Sequence, residues 1–205
     1  MRQGTEDALC GIYAILNAIS YATGNFNSLE REYTFSYLID KLVEINSVSS
    51  NPVSVGWLLT TGIGINDLNK LLNKCIGEQG AQMLYDECDG NMRDTVRKRL
   101  KNISTKMYFR SRKIDKETIL FDFEKFLAEN IKGAIIFGWT NNKRNWSHWS
   151  VALRLTRNSI MLSDSGSRNR ISKKGVVIAS GVPDKNLSGD IISASEVIYI
   201  FPNST

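Results

Sequence analysis

The stretch that decides the fold is Ala134 to Gly166, AIIFGWTNNKRNWSHWSVALRLTRNSIMLSDSG. Ala134 to Trp139 is a continuous apolar run of strand length, and Asn141 to Asn145 is a polar turn. His148 to Leu155 and Ser159 to Asp164 follow as two more strands, rich in residues that suit a pleated surface. Further on, Val176 to Ala179 and Val197 to Phe201 complete a sheet.

Upstream the texture is different. Cys10 to Tyr21 places Ile12, Ile15, Leu16 and Ile19 at helical spacing and stops at Gly24. Leu29 to Ile45 repeats that pattern with Tyr33, Tyr37, Leu38 and Leu42, and Ser47 to Val55 reads as a loop. Ile65 to Cys75 is a shorter helix for which Asn66 could serve as N-cap, and Met92 to Leu100 and Lys116 to Asn130 are two more. Helices first and strands later predict an α+β fold, a helical N-terminal half packed on an antiparallel sheet built by the C-terminal half. At 205 residues one domain suffices, with 1–130 mainly helical and 131–205 mainly β.

Composition narrows the function classes. Apolar residues are 42% and charged residues 23% of the chain, as in a globule with a core, and no apolar run is long enough to cross a bilayer. The polar start (Arg2, Gln3, Gly4, Thr5, Glu6, Asp7) shows no secretory signal, which predicts synthesis in the cytoplasm or a leader already removed. The formal charge of +5 is mild. The basic series Arg93, Arg97, Lys98, Arg99, Lys101, Arg110, Arg112 and Lys113 is broken by Asp94 and Asp115, and reads as a solvated helix face with the loop after it. No nucleic-acid or membrane partner is expected. Three cysteines, Cys10, Cys75 and Cys88, make no disulfide framework and point to a reducing compartment. With a single histidine and no zinc spacing, no metal or other cofactor is expected.

Two residues carry the chemistry. Cys10 opens the first helix, where unpaired N–H groups and the helix dipole favour a thiolate, and Gly11 leaves space beside it. The alternative is a small buried hydrophobe, the fate of most free cysteines. His148 stands at a loop-to-strand junction between Trp146 and Trp149, which could exclude water and contact a substrate. Asp164 ends the next strand. A three-residue hairpin loop Thr156-Arg157-Asn158, with Asn158 left-handed, sets Ser150 opposite Asp164 and His148 opposite Gly166. Asp164 and His148 then share a face as diagonal neighbours, whereas a two-residue loop separates them. The alternative for Asp164 is a turn-former before Ser165-Gly166. Gln3, seven positions before Cys10, could donate to an oxyanion beside the Cys10 N–H, or be an untethered polar residue near the terminus.

In order and spacing, Gln3, Cys10-Gly11, His148 and Asp164 resemble the papain-like cysteine protease superfamily. The Cys-to-His separation of 138 residues falls within the ~130–150 of papain relatives. Local texture (Ala14, Asn17, Ala18 and the His-aromatic strand entry) is similar to C39-like peptidases and Josephin-type deubiquitinases. The resemblance covers about the first twenty residues and Ala134 to Gly166. The chain departs from papain in lacking a Cys-Gly-Ser-Cys-Trp run and in having Asp as third member. The resemblance implies a papain-like fold and a Cys10–His148–Asp164 triad with Gln3 in the oxyanion hole. It also implies hydrolysis of a peptide or isopeptide bond through an acyl-thioester. The partner it implies is a polypeptide, with ubiquitin-like and host proteins among the candidates, since such small enzymes also occur among bacterial effectors. Glutamine deamidation and acyl transfer use the same triad. Rivals of other classes are a protein-binding module anchored by Trp139, Trp146 and Trp149, and a nucleic-acid binder using the basic series. Cys75 and Cys88 read as structural, while Trp57 and Gly62-Ile63-Gly64 could line a groove.

Overall fold

A computed structural model describes residues 9–24, 26–49, 52, 54, 63–87, 93–107, 116–141, 146–163, 168–179 and 189–203, with the backbone alone for 93, 106, 107, 116, 141, 146, 147 and 195. The helical elements are α1 (Cys10–Ala22), α2 (Ser28–Ser47), α3 (Ile65–Cys75), α4 (Gly77–Glu87), α5 (Arg93–Leu100) and α6 (Lys116–Glu129). The strands are β1 (Ile103–Met107), β2 (Ala134–Asn141), β3 (Trp146–Leu155), β4 (Ser159–Ser163), β5 (Arg170–Ser172), β6 (Val176–Ala179) and β7 (Asp190–Pro202). The protein is therefore α+β. The sheet runs β1-β7-β2-β3-β4-β5, and β6 pairs with β7.

Helix α1 is apolar on nearly every face and is buried accordingly, from Cys10 and Ile12 through Ile15, Leu16 and Ile19 to Ala22. Its last turn closes with the Thr23 hydroxyl donating to the Ile19 carbonyl at 2.7 Å, and Gly24 then takes φ +89°. Helix α2 starts with a capping box. The Asn27 side chain accepts from the Glu30 N–H at 2.9 Å, and the Glu30 carboxylate accepts from the Asn27 N–H at 2.8 Å. Glu30 is 1% exposed and also pairs with Arg99 at 3.1 Å, which ties α5 to the start of α2. Helix α3 spans the expected residues, but its N-cap is Gly64, with no side-chain cap, so Asn66 lies inside its first turn and does not cap it. An extended Ile76 and a left-handed Gly77 then turn the chain straight into α4, which the sequence pattern did not announce. Gly80 lets α4 press onto the end of α3. A Cβ there would stand 2.6 Å from the Asn73 carbonyl oxygen and 2.9 Å from the Cys75 nitrogen.

The sheet is covered on both faces. Alternation along β2 sends Ala134 and Ile136 toward α1–α5, and Ile135, Phe137 and Trp139 toward α6. On β3, Trp149 and Val151 join the α1 side and Ala152 the α6 side. Full burial of each such large apolar side chain stabilises the fold by about 1.5–3 kcal/mol. Three expectations are corrected. Strand β6 runs parallel to β7, so the sheet is not purely antiparallel. Strand β1 falls within the mainly helical part, because Ile103 and its neighbours complete the edge of β7. The last strand begins at Asp190, well before Val197, and bulges: Ser193 to Glu196 lie opposite the single residue Gly138.

Candidate functional site

The first residue of α1 is Cys10, 6% exposed, at a helix start that carries no side-chain cap and no acidic residue in its own first turn. The leading N–H groups of a helix lack intrahelical acceptors and carry partial positive charge. The second described cysteine differs. Cys75 is fully buried, its thiol contacts the Leu72 carbonyl at 3.4 Å, and burial pushes it up to about 12, so it is inert at neutral pH. Cys88 lies outside the described residues.

The space beside Gly11 is filled, which corrects the expectation of an open flank. A Cβ there would meet Leu68 Cδ1 at 2.9 Å and Ile63 Cβ at 3.4 Å. Gly11 is small because α3 and Ile63 close against the start of α1. Ile63 in turn accepts a hydrogen bond from the Trp149 indole N–H at 2.8 Å. Trp149, 7% exposed, is spent in this packing and does not present a face to substrate. Through it, the Cys10 end of α1 is joined to the beginning of β3, next to His148.

His148 pairs with Trp139 across the β2–β3 ladder and is partly exposed. By strand alternation its side chain leaves the sheet on the α6 side, opposite to Trp149. There its ring meets that of Trp139 edge to face, with centroids 6.0 Å apart at 84°. Trp139 is 1% exposed and doubly held. Its N–H donates to the Ser150 hydroxyl at 2.9 Å, and the Arg168 guanidinium lies 4.8 Å over the ring. Arg168 is itself clamped by the two carboxylate oxygens of Asp190, at 2.8 and 2.5 Å. Cys10 therefore packs on the α1 face of the sheet, whereas the His148 side chain leaves on the opposite, α6 face, and what links the two positions is the Trp149–Ile63 contact rather than a meeting of their side chains.

Asp164 and Gln3 lie outside the described residues, as do Trp57, Gly62 and the side chain of Trp146. The ladder leading toward Asp164 is described. Val151 faces Ser163 and Ala152 faces Leu162, the register expected for this end of the hairpin. It arises by another route. The turn is the two-residue Arg157-Asn158, with Thr156 N–H donating to the Ser159 carbonyl at 2.8 Å, and Asn158 is not left-handed. A one-residue bulge between Ala152 and Arg154 then restores the register that the shorter turn would have lost.

One acid was missed by sequence reasoning. Glu196 emerges from the β7 bulge and lays its carboxyl over Gly138, where an added Cβ would clash with Oε2. Desolvation holds this carboxyl above its ordinary range, against a smaller downward pull from the Ser193 hydroxyl. The available signal was a lone carboxylate interrupting the otherwise apolar and small-residue run Ile191 to Phe201. Among the described residues no cluster of three His, Cys, Asp or Glu could hold a metal, and no helix is long and apolar enough to cross a membrane. No family model, curated protein or solved structure matches the chain significantly.

Proposed function

We propose that the chain is a papain-like cysteine hydrolase that cleaves a peptide or isopeptide bond of a polypeptide substrate. The observation that carries this reading is the junction Gly11–Ile63–Trp149, which ties a helix-terminal cysteine to the strand end bearing the chain's one histidine. In the proposed reaction His148 accepts the Cys10 proton, and the thiolate attacks the carbonyl carbon. The Cys10 N–H and the Gln3 amide stabilise the oxyanion. Collapse expels the amine, which takes its proton from His148, and water hydrolyses the thioester with His148 as base. Asp164 orients the imidazole and favours its charged form. The edge contact from Trp139 adds a second restraint on the ring.

Burial of Trp139 and Trp149 weighs against a binding module that uses them as exposed anchors. The test is labelling with a panel of peptide and ubiquitin-type activity probes, read as the mass of the Cys10 adduct. An adduct at Cys10 that requires His148 supports the hydrolase. Slow labelling of Cys10, unaffected by His148→Ala, would overturn it.

A further inference from the structure

The bulge in β7 creates a polar strip on the sheet face that α1 covers. Residues Gly138 and Thr140 of β2 point to the same face as Trp149, because β2 and β3 pair without interruption from Ile135 to Asn141. Glu196 fills the room left by the absent side chain of Gly138, within contact distance of that backbone. Two positions further on, the Thr140 hydroxyl oxygen is buried and has no hydrogen-bond partner among the described residues. A buried hydroxyl without a partner costs about 1–3 kcal/mol and calls for an explanation, of which a ligand is one. Among the described residues, the partly desolvated Glu196 carboxyl has the Ser193 hydroxyl acting on it and no cation. A carboxylate in that state gains from any cation that reaches it. The strip lies at the end of the sheet where Trp149 meets Ile63 and the Cys10 end of α1.

We propose that Glu196 and Thr140 form a specificity subsite that admits a cationic side chain, lysine or arginine, of the polypeptide cleaved at Cys10. This rests on the hydrolase reading. Glu196 supplies the charge, and Thr140 an oxygen that accepts from the ammonium or guanidinium. Neither residue touches the reacting atoms.

The test reads charge preference at Cys10 without turnover. Cys10 is modified with cationic 2-aminoethyl and anionic 2-sulfonatoethyl methanethiosulfonate. In each reaction the thiolate attacks the sulfenyl sulfur, a mixed disulfide forms and methanesulfinate leaves. Rates are normalised to those of 2-mercaptoethanol. The wild-type protein should favour the cation by about tenfold, the order expected of one carboxylate acting on reagents two charges apart near a protein surface. In Glu196→Gln, which preserves shape and removes a desolvated charge, the ratio should fall to within about twofold of unity. A normalised ratio near unity in the wild type, or the same ratio in both proteins, would overturn the subsite. A parallel arm with neutral iodoacetamide compares wild type with His148→Ala. Loss of that dependence strikes the hydrolase reading alone, and loss of the charge preference strikes Glu196 alone.

Discussion

Replacing Trp149 by Phe tests the junction on which the candidate site depends. The substitution keeps an aromatic ring under α1 but deletes the indole N–H that meets the Ile63 carbonyl at 2.8 Å. Leaving that buried acceptor short of a donor costs about 1–3 kcal/mol. The smaller ring also leaves a void. Complete truncation of a buried Trp costs about 3–5 kcal/mol, so a partial loss adds roughly 1–2 kcal/mol. The expected destabilisation is therefore about 2–4 kcal/mol, a large part of the ~5–15 kcal/mol available to a domain. Urea unfolding followed by far-UV circular dichroism reads it as a midpoint lowered by roughly 1–2 M at unchanged slope. Since Ile63 also packs beside Gly11, Cys10 should shift with it, and turnover of the folded variant should drop at least ~10-fold. A midpoint shift below about 0.3 M would show that the indole contributes no more than an exposed aromatic, and the junction would lose its claim to position Cys10.

Cys10→Ala should abolish turnover while leaving the unfolding midpoint within about 1 kcal/mol of wild type, because a small buried thiol is replaced by a methyl group. Full turnover in that variant would refute the nucleophile. Glu30→Ala removes the acceptor for the Asn27 N–H and the buried ion pair with Arg99, so a loss of about 3 kcal/mol is expected from thermal unfolding. Gly80→Ala should also destabilise by several kcal/mol, since its Cβ meets fixed backbone of α3 and the helix-propensity gain of about 1 kcal/mol cannot offset that. For Glu196 the sign follows from a folded-state pKa held above the ordinary carboxylate value. The native state then binds the proton more tightly than the unfolded chain. This contribution is fully present below the ordinary value and is lost as pH rises through the folded value. Wild-type stability relative to Glu196→Gln should accordingly fall between acid and neutral pH, measured by urea unfolding at several pH values. A constant difference would contradict it.

Several parts of the fold were legible in local pattern. α1, α2 and α6 show apolar residues at helical spacing over ten or more positions. β2 to β4 show apolar runs of strand length, and these long segments formed close to where they were expected. α4 was hidden because two glycines, Gly77 and Gly80, fall within its first four residues and weaken its helical pattern. Here one turns the chain and the other lets two helices touch. β1 and β5 were hidden because five- and three-residue strands with polar members carry no periodicity of their own. They exist because longer neighbours offer unpaired edges.

The sequence by itself determined that helices precede a sheet, that Cys10 begins a helix and that His148 lies in a strand, though that strand begins at Trp146 rather than at His148, because these depend on residues a few positions apart. Only the tertiary structure decided that β6 runs parallel to β7, that Gly11 closes against Ile63 and Leu68, and that Glu196 lies over Gly138. The hairpin before Asp164 shows the difference most plainly. Its register came out as the pattern of faces demanded, while the turn did not, because a bulge supplied the missing residue. Burial of one sheet face constrains which side chains meet. How the backbone reaches that pairing is left to contacts that no local stretch contains.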